Sequence, residues 1–409
     1  MAAESQPGVL KSVPLRALLA AELISMAGSQ MTWVALPWFV LVTTHSPGRT
    51  SVVIAAEAAG YAIFGVPSGS VLARLGGRTT MLACDGIRAP LLLLVPLLHR
   101  TDALSFPLLL AIVFAIGTVS TPYGSAQRLL LPELLGEDEA LVGRANALFQ
   151  AATRLTMMAG PPIGGVLIAA AGAANVLVVD AATYAVAFAL VLLFVPTVRP
   201  RRAEEDVEPG GVLDGLRYLG RDRLLGSWAT AFAIGDGAFQ VIFVGIPVLV
   251  FTHFDAEPRL VGILFGAWGV GAVVGNVVSY RYLSDRDGFG VIAAFSVPQA
   301  LPLWLLGVPV PALVLGIALA ISGLANGLVN PTIHSLFTLR PPPSVRAKVM
   351  TATYTASTLA APAALLAAGP ALSALGSRAV LAAAAGGQTV AVLLIALSSL
   401  RERTAIVRA

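Results

Sequence analysis

Apolar stretches of 18 or more residues recur along almost the whole chain, and no other feature limits its fold so severely. At 1.5 Å rise per residue, each is long enough to cross a hydrocarbon layer of roughly 30 Å as a helix. Such a layer offers no water to backbone N–H and C=O groups, so the pattern demands a bundle of membrane helices. Twelve spans are expected, at about 14–42, 50–73, 79–98, 105–128, 141–170, 174–197, 224–252, 258–283, 288–307, 309–336, 346–369 and 377–400. Composition agrees: 57% of the residues are hydrophobic and only 12% charged, with a mean hydropathy of +0.83, far from a soluble domain. The expected fold class is an all-α membrane protein. The first span stays apolar to Val42, well past the length of a signal-peptide core, and reads as a retained helix.

Basic residues set the expected orientation, because Lys and Arg are retained on the cytoplasmic side of short loops. With both termini inside, only Arg49, Arg100, Arg259 and Arg378 of the 26 Lys and Arg fall outside, with Arg154 inside the fifth span. The net charge of +4 then reflects topology, and nucleic acid is not an expected partner. The single cysteine, Cys84, excludes an intramolecular disulfide. His45, His99, His253 and His334 lie on separate segments without metal-ligand spacing, and neither Lys11 nor Lys348 follows a GxxxxG. No metal, cofactor or ATP site is expected.

The densest charged stretch, 199–223, divides six spans from six, giving expected units of 1–198 and 224–409 around a central cytoplasmic loop. Its polar first part reads as a linker, and "VLDGLRYLGRDRLL" has the apolar spacing of a short interfacial helix. Gly65 and Gly69 near the end of span two recur 206 residues later as Gly271 and Gly275 near the end of span eight. Four-residue glycine spacing allows close helix approach, so both halves are expected to pack this helix alike.

Charges inside the bilayer cost several kcal/mol unless paired or facing water. The candidates are Glu22, Glu57, Arg154, Asp180 and Asp236, and helical spacing supplies polar companions. Glu22, Ser25, Ser29 and Thr32 share one face; Asn146, Gln150 and Arg154 form a ladder on span five; Ser322, Asn326, Asn330 and His334 form the longest, on span ten. Tyr61 accompanies Glu57, and Gln240 accompanies Asp236. Such stripes either surround a water-filled cavity or bond neighbouring helices inside a dry bundle. A carboxyl group in such a cavity is suited to exchange a proton near neutral pH, which singles out Glu22, Glu57 and Asp236. Asp180 reads instead as a tie between span six and a neighbour. Trp33, Trp38, Tyr61, Phe149, Met157, Met158, Phe239 and Phe243 supply an adaptable wall for bulky amphipathic substrates.

Twelve spans in two halves around a charged loop resemble the major facilitator superfamily, whose halves are pseudo-symmetric repeats about a central site. The loop after span two is similar to its signature GxLADRxGRR at Gly69, Arg74, Gly76 and Arg78, with Leu72 displaced by one and Ala73 at the acidic position. That resemblance implies a gating role for the loop, with Asp85 and Arg88 as substitute charge partners for Arg74 and Arg78. "ACDGIRA", the segment from Arg128 to Gly172 and "VLVVDAATYAVA" are similar to the branch of enterobactin-type exporters and macrolide efflux proteins. "GPPIGG", with Gly160, Pro161, Gly164 and Gly165, resembles the core of the antiporter motif on helix five; the upstream glycines of the longer motif are replaced by Ala147 and Thr156.

Together these readings imply a monomeric, proton-coupled exporter of small hydrophobic or amphipathic compounds in the plasma membrane. A proton symporter importing a metabolite and a non-transporting sensor on the same fold are the alternatives. An enzyme is not expected, since no Ser/His/Asp grouping or HExxH occurs at usable positions.

Overall fold

The computed structural model describes residues 12–64, 74–135, 139–197, 211–283 and 286–408. Every regular element among them is helical: α1 (Val13–Thr44), α2 (Pro47–Phe64), α3 (Gly77–Arg100), α4 (Phe106–Leu135), α5 (Glu139–Ala171), α6 (Ala173–Phe194), α7 (Gly211–Arg221), α8 (Arg223–His253), α9 (Pro258–Val278), α10 (Gly288–Ala300), α11 (Ala312–Leu339) and α12 (Pro343–Arg408). A π-helical turn, Ser279–Leu283, extends α9, and a 3-10 turn, Leu301–Gly307, extends α10.

The helix ends follow from local sequence. The Asp222 carboxylate accepts from the N–H groups of Leu224 and Leu225 at 3.0 and 3.1 Å, and Asp287 accepts from Phe289 at 3.1 Å, so both act as N-caps. Pro258 opens α9, where its missing donor costs nothing. Gly376 breaks α12 with φ 80°, a conformation that a Cβ would strain.

Nine stretches among the described residues are long and apolar enough to cross a membrane, and the chain is an integral membrane protein. The last of them, Lys348–Ala405, is 58 residues long and contains the Gly376 bend. The first two helices fall outside the nine. In α1 the residues Glu22, Ser25, Ser29, Gln30 and Thr32 dilute the apolar run, and α2 is described for only 18 residues.

The chain divides into two compact units, Met1–Leu36 with Ala59–Glu204, and Pro37–Ala58 with Glu205–Ala409. The chain crosses between the units three times, within α1 after Leu36, within α2 after Ala58, and after Glu204 in the charged stretch. In the first unit α3 packs on α4 and α6 around Leu15, Leu18, Met81, Leu130, Leu131 and Phe149. In the second, α8 packs on α12 and α9 on α11, with Trp228, Phe337 and Leu225 fully buried.

Glycine sets the closest approach in the second unit. A Cβ on Gly271 or Gly275 would strike the α11 backbone at Ala320 and Leu324, and one on Gly323 or Gly327 would strike the α9 backbone at Trp268 and Ala272. Two interleaved four-residue glycine pairs therefore bring α9 and α11 into backbone contact. Gly65 and Gly69, their expected counterparts, lie outside the described residues. The amphipathic segment after the central loop is helical as α7, which lies on α12: Gly215 meets the Lys348 carbonyl, and Lys348 Nζ is 3.3 Å from the Asp214 carboxylate.

Candidate functional site

Among the described residues, polar side chains converge at two places, one in each unit. In the first unit the centre is Arg88, about three turns into α3 and only 5% exposed. It forms an ion pair with Asp85, three residues back on the same helical face and fully buried. The guanidinium lies between two aromatic faces, 4.4 Å from the ring centroids of Tyr123 on α4 and of Tyr184 on α6. Arginine suits this position because its planar, weakly hydrated cation stacks on rings while its N–H groups hold a carboxylate.

Glu22 on α1 faces the same centre, with Arg88, Asp85 and Tyr123 as its neighbours. Two turns along, the Ser29 hydroxyl is 2.8 Å from that of Tyr184 and donates to the Ser25 carbonyl at 2.9 Å. Asp180 on α6 is fully buried beside Thr32 and accepts from Thr183 at 3.0 Å. Gly28 makes this possible, since a Cβ there would strike Asp180 and Thr183. The cluster gathers three carboxyl groups around one guanidinium. One oxygen each of Glu22, Asp85 and Asp180 has no hydrogen-bond partner among the described residues.

These positions correct one expectation. Asp85 and Arg88 do not partner the loop arginines; they pair with each other inside the bundle. Arg78 instead donates to the carbonyls of Val195 and Leu192 at 2.7 and 2.9 Å, satisfying the free end of α6, where a cation also meets the negative end of the helix dipole. Arg74 is exposed, Gly76 starts α3 at φ 76°, and Gly69 lies outside the described residues. The cause of the misreading is position: charges near a span end look interfacial until Glu22, Tyr123 and Tyr184 arrive from other helices.

The second unit holds a cavity of about 510 Å³. Asp236 and Phe239 reach it from α8, Trp268 from α9, Gln299 from α10, Asn326, Asn330 and His334 from α11, and Tyr354, Ser357 and Gln388 from α12. Ser357 lines the cavity beside Asp236, and His334 lies within electrostatic range of the Asp236 carboxylate. Asn330 donates to Asn326 at 3.1 Å, one turn apart, and Gln388 donates to the Gly235 carbonyl at 2.7 Å. Phe232 stacks on His334 with ring centroids 5.8 Å apart. A smaller pocket of about 40 Å³ shares Phe239, Trp268, Gln299, Asn326 and Gln388 and adds Phe243 and Ser322.

The α11 ladder and Asp236 thus meet in one place, while Gln240 is half-buried and does not line the cavity. Asn146, Gln150 and Arg154 share one exposed face of α5, and none of them enters the buried cluster. On α2, Glu57 is half-buried and Tyr61 is 38% exposed, and neither lines the cavity. Gly160 and Gly164 lie against Gln30 and Met31 of α1 within their own unit, and α5 runs on through Pro161 and Pro162; Gly165 is buried. Among the described residues no group of His, Cys, Asp and Glu can hold a metal ion. Gln299, Ser357 and Gln388 were missed in the sequence because lone polar residues on apolar helices carry no spacing signal. Tyr123 and Tyr184 were missed because a tyrosine in an apolar span reads as packing.

Residues 18–365 match the sequence profile described as Major Facilitator Superfamily. The chain belongs to this superfamily. It is 26% identical over 380 residues to the multidrug efflux pump Tap of Mycolicibacterium fortuitum, covering 90% of this chain and 91% of that protein. It is 29% identical over 320 residues to the enterobactin exporter EntS of Escherichia coli O1:K1, covering 73% of each. Among solved structures, the nucleoside transporter NupG superposes with a TM-score of 0.74 at 12% identity, covering 94% of this chain and 98% of NupG. An inward-facing bacterial homolog of the lysosomal transporter Spinster gives 0.71 at 14% identity, covering 97% and 98%. The resemblance to the superfamily is therefore borne out, and the protein is a transporter, not an enzyme.

Proposed function

We propose that this protein exports small hydrophobic or amphipathic compounds across the plasma membrane, driven by inward proton flow and working by alternating access. The 510 Å³ cavity carries this reading: a space of that size, with aromatic walls and a few convergent polar groups, suits a small-molecule site. The likeness to an efflux pump and an exporter supports the outward direction.

The buried cluster supports proton coupling. Three carboxyl groups share one cation, so full ionisation would leave two unpaired charges inside the bundle. A proton on one carboxyl relieves that cost, and Glu22, which neither forms the direct ion pair nor bonds Thr183, is the group we assign to carry it. Asp236 serves the substrate cavity. Asn146, Gln150 and Arg154 line a water-exposed face, because a polar ladder turned to hydrocarbon would cost several kcal/mol. Twelve spans in two six-helix halves, both termini inside, a loop gated by Arg74, Gly76 and Arg78, and a monomeric state complete the proposal.

Transport in proteoliposomes under an imposed pH gradient tests it, comparing the wild type with Glu22→Gln, Glu57→Gln and Asp236→Asn. Outward-directed flux should collapse when the gradient is dissipated. Unchanged flux after dissipation rules out proton antiport, and full gradient-dependent flux in all three variants rules out the assigned acids.

A further inference from the structure

The cavity of the second unit has a charge and donor inventory that selects among ligands. Asp236 is its one carboxylate among the described residues, and neither Lys nor Arg lines it. Its amide N–H groups are partly committed elsewhere, Asn330 to Asn326 and Gln388 to a backbone carbonyl. The backbone carbonyl of Gln299 accepts from the Ser322 hydroxyl at 2.7 Å, which leaves the Gln299 side-chain amide as a neutral polar group of the wall. Aromatic side chains form much of the remaining wall: Phe232, Phe239, Trp268 and Phe337.

An anion entering this space would meet the Asp236 carboxylate and find, among the described residues, His334 as the only group able to become cationic. A neutral ligand would displace water from Asp236 and leave its charge to be balanced by a proton or by His334, at a cost. A lipophilic cation does neither: it pairs with Asp236 and lies against aromatic faces whose quadrupoles attract it. Resting on the transporter reading above, we infer that the substrates of this cavity are lipophilic organic cations, with Asp236 as the charge partner and Phe232, Phe239 and Trp268 as the aromatic wall.

Tetraphenylphosphonium and tetraphenylborate share one shape and carry opposite charges, so they isolate the electrostatic part. Equilibrium binding of each is measured on the detergent-solubilised full-length protein. The phosphonium should bind at least about 10-fold more tightly than the borate, Asp236→Asn should weaken the phosphonium about 10-fold, and Asp236→Glu should retain most of its affinity. Equal affinity for the two ions, or phosphonium binding untouched by Asp236→Asn, overturns the inference. If the Asn variant does not fold, the wild-type preference between the ions still decides the matter. Binding requires no gradient, so a phosphonium preference without gradient-driven flux sinks the export proposal alone, whereas flux of neutral compounds without a cation preference sinks only the cation inference.

Discussion

Arg88 with Asp85, Glu22 and Asp180 is enclosed between tyrosine rings in the first unit, whereas Asp236 and His334 of the second unit open into a cavity of about 510 Å³. Both arrangements place ionisable groups inside helix bundles, and they differ in what neutralises them. Enclosed charges must be balanced by protein groups or by protons, because nothing else reaches them. Groups facing a cavity can be balanced by a ligand. The contrast supports separate duties, a proton site in one unit and a substrate site in the other.

The largest break in that contrast is expected at Arg88. Arg88→Ala strands the surrounding carboxyl groups without their cation, and removing one partner of a buried pair typically costs about 3–5 kcal/mol. Yield and thermal stability of the purified protein should fall sharply, with Arg88→Lys only partly restoring them because an ammonium lacks the planar stack between Tyr123 and Tyr184. Asp236 of the second unit faces a cavity, so Asp236→Asn should leave thermal stability close to wild type while altering ligand binding.

Packing separates the units next. Gly327→Val drives a side chain into the α9 backbone, where no rotamer change relieves the clash, at about 1–3 kcal/mol or more. Thermal unfolding should show it directly. Tyr184→Phe removes the hydroxyl contact to Ser29 and keeps the ring against Arg88, so a loss of about 1 kcal/mol is expected with gradient-driven flux retained. Smallest of all, Asp214→Asn breaks pairs with Arg217 and Lys348 that are partly open to solvent, and the melting temperature should move little, since surface pairs contribute about 0–1 kcal/mol.

Much of the architecture was legible because membrane helices are written in long apolar runs, and the 3.6-residue period by itself puts Asn326, Asn330 and His334 on one helical face. The period does not say what that face meets. The ladder of α1, with Glu22, Ser25 and Ser29, is buried against α3, α4 and α6, while the similar ladder of α11 lines a cavity. Which outcome follows depends on the volumes of side chains from other helices. In the first unit Tyr123, Tyr184 and Arg88 fill the space; in the second, Gln299, Ser357 and Gln388 leave it open. Asp85 and Arg88 illustrate the same limit: spacing shows that they can pair, and only the arrival of Glu22 and the two tyrosines shows that their place is interior.

The glycine run of α5 shows how a motif gains physical content. Gly160 and Gly164 let α5 settle on Gln30 and Met31 of α1, the helix that carries Glu22. A bulkier residue at either position would move the helix that holds the proposed proton carrier, which links the motif to the cluster by packing.

The most direct measurement of the division between the units is a paired assay of Glu22→Gln and Asp236→Asn, scoring both equilibrium phosphonium binding in detergent and pH-gradient-driven efflux in proteoliposomes. The expected result is that Glu22→Gln binds within about 2-fold of wild type and loses gradient-driven flux, while Asp236→Asn loses binding about 10-fold. Gradient-driven flux undiminished in Glu22→Gln, with binding intact, would contradict a proton site in the first unit.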